Sequence, residues 1–289
     1  MTQPSLHLIG GPTASGKTAA ALELARQTPS IIINADAMQV YRGLPLLTAQ
    51  PTRAEKAQAP HELFEILEPS KRCSAGAWLD FAQSAIEKAQ EQKLTPILVG
   101  GTGLYFHVLL NGLATIPPIP DDVRKATAAL YDELGHDVFR EALAKIDSES
   151  AQHITLNDRQ RLCRAYDVAA HTGKPLGVWQ KQKETTPLTS RFTLHRHKLM
   201  PERQALYAKC DARFLKMIEE GALEEVRTLL EQKLNPDLPA MKILGVRELA
   251  QHLRGEISLE EAITAAQQVT RNYAKRQMTW FRNQWKEEN

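Results

Sequence analysis

Short, nearly all-apolar runs alternate along the chain with longer segments whose apolar residues recur every three or four positions. Residues 6–9, 31–33 and 96–99 are runs of the first kind, and their β-branched content predicts buried strands. Residues 63–67 predict another strand between the last two, and 191–195 a further one after Thr185-Thr186-Pro187. Residues 18–27 and 77–92 carry helical spacing. Strands alternating with helices predict a parallel sheet covered by helices on both faces. The texture changes at Ile116-Pro117-Pro118-Ile119-Pro120, where prolines prevent any helix from continuing. Residues 121–180 then read as helical throughout, as do 202–217, 223–232 and 258–286. The expected fold class is therefore α/β. A three-layer parallel-sheet core with C-terminal helices occupies 1–117 and 187–289, interrupted by an all-helical insertion at 118–186.

Composition adds little to that picture except where charge is uneven. Of the 289 residues, 43% are hydrophobic and 24% charged, the balance of a soluble globular protein. No apolar run approaches the ~18–20 residues that span a bilayer, and the first residues lack a signal-peptide pattern. Cys73, Cys163 and Cys210 are widely spaced and odd in number, which disfavours both a disulfide framework and a zinc site. A reduced, cytoplasmic protein is expected, with no membrane partner. The net charge is only +2, yet residues 151–216 hold 13 Lys/Arg against 5 Asp/Glu. A second basic run, 271–286, contains no acid. Positive charge gathered in this way points to a polyanionic partner; its plainer reading is a set of solvated helix faces.

The most specific chemistry lies after the first strand. Gly11-Pro12-Thr13-Ala14-Ser15-Gly16-Lys17-Thr18 satisfies G-x-x-x-x-G-K-[ST] at every fixed position, with a strand before it and a helix after it. Such a P-loop brings backbone N–H groups and a helix N-terminus onto phosphate oxygens. Lys17 adds a point charge, and Thr18 a hydroxyl able to ligate Mg²⁺. The loop alone leaves its phosphate compound open, ATP or GTP being the default for such a nucleotide-binding motif.

Three further segments narrow the choice. They are Asn34-Ala35-Asp36-Ala37-Met38-Gln39-Val40-Tyr41-Arg42-Gly43, Gly100-Gly101-Thr102-Gly103-Leu104-Tyr105, and Lys275-Arg276-Gln277-Met278-Thr279-Trp280-Phe281-Arg282. With the loop, and in this order, they closely resemble the tRNA dimethylallyltransferase (tRNA isopentenyltransferase) family over nearly the whole chain. The lack of a C-terminal Cys/His extension resembles its bacterial form. The resemblance implies transfer of a dimethylallyl group from dimethylallyl diphosphate to N6 of the adenosine 3′ of the anticodon, in tRNAs reading U-starting codons. It implies Mg²⁺ as the cofactor, with Thr18 as its protein ligand.

By the same resemblance, Asp36 is the general base that takes a proton from N6. Lys17, Thr18, the loop amides and Arg213 stabilise the departing diphosphate, and Thr102 lies at the catalytic centre. Without the motif that follows it, Asp36 reads as a capping or metal-supporting carboxylate; Arg213 alone reads as a surface helix residue. Asp36, Ala37, Met38, Gln39 and Thr102 are expected at the tRNA contact, Asp36 and Gln39 holding the everted adenine. Further tRNA contacts fall on Arg124, on Gln160-Arg161-Leu162-Cys163-Arg164, on Lys242-Ile243-Leu244-Gly245-Val246-Arg247 and on residues 275–282. At 100° per residue Arg271, Lys275, Arg282 and Lys286 share a sector of roughly 60°, opposite Tyr273, Gln277 and Trp280. Trp280 and Phe281 are assigned to the core in preference to base stacking. The helical insertion is expected to embrace the anticodon stem, and a monomer is expected.

The chain departs from the family pattern at Leu44-Pro45-Leu46-Leu47, Glu62, Cys73 and Val246. None of these touches the loop, Asp36 or Arg213. The rival readings are a P-loop nucleoside or nucleotide kinase, a P-loop ATPase that binds RNA, and a prenyltransferase acting on free adenine nucleotides. Basic residues spread over two distant regions, with no Walker-B-like strand, disfavour the first two; the C-terminal motifs disfavour the third.

Overall fold

The structure, a computed structural model, describes residues 3–181 and 188–285. Thr185-Thr186-Pro187, Lys286 and the sequence boundary at 186 lie outside the described residues. Five strands form one parallel sheet: β1 (Ser5–Gly10), β2 (Ser30–Asn34), β3 (His61–Glu62), β4 (Thr95–Gly100) and β5 (Thr193–Lys198), in the order β3-β2-β4-β1-β5. Every residue of β2 is buried, as expected for a run apolar on both faces. One face packs Leu6, Leu8, Ile31, Ile33 and Leu98 against α3 (Ala75–Glu91) and α4 (Gly103–Asn111). The opposite face packs Ile9, Ile32, Ile97 and Val99 against α1 (Lys17–Gln27). That is the three-layer α/β arrangement.

One expected strand is displaced. Residues 63–67 do not extend; the strand is the preceding pair, His61–Glu62. Leu63 and Glu65 have φ of 66° and 54°, in the left-handed region, so the chain turns there. The turn is held from within: Asn34 Nδ2 donates to the Leu63 carbonyl at 3.1 Å, and the Leu67 amide donates to the Val40 carbonyl at 2.9 Å.

Beyond the one-turn α2 (Arg53–Lys56), the helices divide between two compact units. The first runs up to Leu110 and resumes at Leu188; the second begins at Asn111 and ends at Pro187. The second contains α5 (Asp121–Ala144), α6 (Ser148–His153), α7 (Arg159–Thr172) and α8 (Leu176–Lys181), around Phe139, Leu143, Leu162 and Ala165. Gly135, at φ 71° and ψ 173°, breaks α5 into two segments. Asp147, 1% exposed, ties three segments by accepting from the Ser150 amide and hydroxyl (2.9 and 2.7 Å) and from the Leu176 amide (2.9 Å).

The first unit is completed by α9 (Arg203–Glu219), α10 (Ala222–Glu231), α11 (Val246–Leu253) and α12 (Leu259–Gln284). Ala262 and Ala266 of α12 pack with Val40, Tyr41, Phe214 and Leu249, while Phe281 joins the α3–α4 face of the sheet. One long helix thus links two apolar clusters. Among the described residues no helix is long and apolar enough to cross a membrane.

Candidate functional site

The carboxyl ends of β1, β2 and β4 lie level, with Ile9 opposite Val99 and Val99 opposite Asn34, so the three turns that follow meet at one edge. In parallel sheets this edge is where ligands bind. The turn after β1 is the glycine-rich loop. Gly16, the N-cap of α1, has φ 90°, and Ala14 has φ 61°. Only glycine adopts the first without strain, and the pair curls the amides inward into a nest. The first turn of α1 leaves its N–H groups without helical partners, a site of partial positive charge.

Two side chains complete the loop. Lys17 Nζ donates to the Pro12 carbonyl at 2.7 Å, closing the loop on itself. Burial, the largest influence, lowers its pKa to about 8; Asp36 opposes that shift and Arg213 adds to it. Ser15 Oγ is buried without a hydrogen-bond partner among the described residues. An orphaned hydroxyl in a ring of amides fits an anionic oxygen arriving from outside. Opposite, Arg213 of α9 donates to Thr13 Oγ1, bringing a buried guanidinium to the loop.

The turn after β2 presents Asp36. Asn34 holds its backbone, accepting from the Asp36 amide at 2.8 Å and donating to its carbonyl at 3.0 Å. Asp36 Oδ1 accepts from the Met38 amide at 3.0 Å, whereas Oδ2 accepts no hydrogen bond among the described residues. The turn after β4 supplies Thr102, whose hydroxyl oxygen accepts from the Ala37 amide at 2.9 Å. α12 locks the two glycine turns together. Gln277, 6% exposed, accepts from the Thr13 amide and donates to the Gly101 carbonyl, both at 2.8 Å. A methyl group at Gly101 would collide with Gln277 Nε2, and one at Gly103 with the Trp280 ring, so close approach requires both glycines.

Two hollows open around these groups. One, of about 480 Å³, is lined by residues 13–19 of the loop together with Asp36, Gln39, Lys209 and Arg213. The other, of about 200 Å³, is lined by Asp36, Leu47, Phe214, Ile243 and Tyr273 among others. Thr13, Asp36, Thr48, Arg213 and Met217 border both, so they are adjoining arms of one cleft. Hard oxygen donors, the Thr18 hydroxyl and the Asp36 carboxylate, line the larger arm, a donor set that suits Mg²⁺.

The structure therefore brings together Gly11 to Thr18, Asp36, Ala37, Met38, Gln39, Thr102 and Arg213. Other sequence-proposed contacts divide by direction. Lys275, Arg276, Thr279 and Arg282 are exposed on α12, but Gln277, Met278 and Phe281 point inward. Those three buried side chains cannot meet an outside partner; they seat the helix. Gln39 is also committed differently from expectation, because both its amide hydrogens serve the Thr48 and Ala49 carbonyls (2.9 and 2.8 Å). Lys242 and Arg247 are outward, whereas Ile243 and Val246 are buried about Gly245, whose φ is 88°.

In the helical unit Gln160 and Arg161 are exposed, Leu162 is core, Cys163 is half-buried, and Arg164 lies by Asp167. Arg124 pairs with Asp121. Arg271 is paired with Asp211 at 2.7 Å, so its charge is spent inside the fold. Sequence reading missed Tyr273 and the clasp role of Gln277. Their i, i+4 spacing placed both on the inward face of α12, but nothing local reveals what that face meets.

Comparison with known proteins agrees with this architecture. The family model described as IPP transferase matches residues 39–284, and that described as isopentenyl transferase matches 4–61. A tRNA dimethylallyltransferase of Caulobacter sp. (strain K31) is 51% identical over 98% of this chain and 91% of its own. One from Rhodospirillum centenum is 51% identical over 98% and 90%. Among solved structures, the full-length tRNA isopentenylpyrophosphate transferase of Bacillus halodurans aligns with TM-score 0.69 and 33% identity, over 98% of this chain and 88% of that one. A eukaryotic dimethylallyltransferase captured acting on tRNA aligns with TM-score 0.82 and 26% identity, over 96% and 70%. With two family models that between them span residues 4–284 and relatives half identical from end to end, the chain belongs to the tRNA dimethylallyltransferase family of prenyl-transferring enzymes.

Proposed function

We propose that this chain transfers the dimethylallyl group of dimethylallyl diphosphate to N6 of the adenosine 3′ of the anticodon, in tRNAs reading U-starting codons. The bond formed is C–N and the bond broken is the allylic C–O, whose electron pair leaves with diphosphate. The N6 proton goes to Asp36 Oδ2. The observation that carries this reading is the cleft itself: a carboxylate oxygen free to accept faces a phosphate loop across a space that continues into a second arm.

Each group has a task that follows from its surroundings. The loop amides, the Ser15 hydroxyl and Lys17 hold the diphosphate, and Arg213 meets it from α9. Charge accumulates on that group as the C–O bond breaks, so cations fixed in a water-poor site favour the transition state over the ground state. Thr18 would hold Mg²⁺ beside the diphosphate, and the ion supplies further positive charge when bound. An exocyclic adenine amine is a weak nucleophile, and loss of its proton to Asp36 during bond formation offsets that weakness. The exposed cations Lys242, Arg247, Lys275, Arg276 and Arg282, with Arg124 and Arg161 of the helical unit, are assigned to tRNA phosphates.

The test supplies labelled dimethylallyl diphosphate and Mg²⁺ with unmodified tRNA, with free AMP, or with a nucleoside plus ATP. Label is expected in tRNA alone, and in nothing after Asp36→Ala. Label in AMP, or a requirement for ATP, would overturn the assignment.

A further inference from the structure

An everted adenine offers two kinds of group on the edge that carries its amine. The amine donates, and the ring nitrogen beside it, N1 or N7, accepts. Asp36 can only accept, so recognition of that edge needs a donor next to the carboxylate. Several polar hydrogens around the cleft are committed within the fold. Gln39 donates twice to backbone carbonyls. Thr48 Oγ1 donates to the Leu44 carbonyl at 2.7 Å and Thr270 Oγ1 to the Ala266 carbonyl at 2.8 Å. Lys17 and Arg213 each donate one hydrogen to the loop, and their remaining hydrogens are assigned to the diphosphate.

Tyr273 stands apart. Its side chain lines the smaller arm together with Asp36. It feels the Asp36 charge, and the Thr102 side chain lies near its phenol. No carbonyl or carboxylate among the described residues takes the phenol hydrogen. Burial first, and Asp36 second, push the phenol pKa upward, so it keeps that hydrogen. The Arg276 guanidinium lies over the ring, 5.7 Å from its centre, and fixes its plane.

We propose that the Tyr273 hydroxyl donates to the ring nitrogen flanking the reacting amine while Asp36 accepts from the amine, making the pair an adenine-reading fork. The inference rests on the acceptor assigned above and adds a specificity determinant to it. Guanine places an oxygen where adenine has its amine, so the carboxylate would face a lone pair and the base would be refused.

The experiment uses the full chain and anticodon stem-loops bearing adenosine, 1-deazaadenosine or 7-deazaadenosine at the acceptor position. Tyr273→Phe keeps the ring and removes only the hydroxyl. About a tenfold loss in kcat/KM is expected with adenosine, the scale of one hydrogen bond to substrate. With the one analogue that lacks the partner nitrogen, wild type and variant should react alike; with the other, the tenfold gap should persist. Affinity for dimethylallyl diphosphate should not change, which separates a lost contact from a damaged fold. Equal losses on all three loops, or no loss with adenosine, would overturn the fork. So would the same analogue-selective pattern in Arg276→Ala but not in Tyr273→Phe. Failure of wild type to label the adenosine loop would instead remove the acceptor assignment, and the fork with it.

Discussion

Lys17 carries a consequence for pH that can be worked out by sign. Burial lowers its pKa to about 8 in the folded chain with no anion present. A bound diphosphate raises it again, because the negative group favours the charged amine. Below pH 8 the amine is already charged and donor binding takes up no proton. Above pH 8 binding must take one up, so the dissociation constant should climb, approaching tenfold per pH unit. Titration calorimetry in buffers of different ionisation enthalpy checks this. A flat affinity between pH 7 and 9.5, with no proton uptake, would show that Lys17 keeps its charge in the empty site. The residues that hold the loop were legible to different degrees. The G-x-x-x-x-G-K-[ST] spacing is local and can be read directly. The Gln277 clasp joins positions 264 residues apart, so no window of sequence reveals it. The commitment of both Gln39 amide hydrogens to the Thr48 and Ala49 carbonyls is hidden for a related reason, since only the fold supplies those partners.

At the scale of elements, α12 has two working faces. Inward, Ala262, Ala266, Ala274, Gln277, Met278 and Phe281 are buried; outward, Lys275, Arg276 and Arg282 are exposed. The inward set was partly visible in the helical spacing of the sequence, but Arg271 was counted as outward and instead pairs with Asp211. Replacing Lys275 and Arg282 together by alanine removes two outward charges without touching the inward face. The apparent KM for tRNA should rise and the slope of log affinity against log salt should flatten by about 0.7–0.9 per lost phosphate contact. Donor affinity should stay as it is. Unaltered tRNA affinity and slope would show that these cations serve the protein's own surface. The displaced strand β3 makes a different point about legibility. An apolar run such as Leu63-Phe64-Glu65-Ile66-Leu67 satisfies strand statistics, yet Asn34 and the Gln39–Val40 backbone capture it in a turn. Tertiary partners decided that segment, not its own preferences.

For the whole molecule, the transfer chemistry and the helical insertion belong to different units, each with its own apolar core. Within the unit of residues 111–187, Asp147 is a buried carboxylate with three hydrogen bonds to α6 and the start of α8. Asp147→Ala leaves those donors unanswered in a small core, at a cost on the order of 2–4 kcal/mol. Hydrogen exchange should quicken across 121–181 and remain slow in the sheet strands, with dimethylallyl diphosphate binding retained. Uniform loss of protection in both units would show that they unfold as one.

The Gln277 clasp has one more implication. Its side chain grips the phosphate loop from a helix whose opposite surface, within two turns, bears the outward cations. A rigid rod cannot shift at one surface and stay still at the other. Lys275 and Arg282 therefore ride on the same helix whose Gln277 holds the Thr13 amide and the Gly101 carbonyl. Under the proposed function, one helix would meet the large polyanion on its outer surface and brace the site of the small one from its inner surface.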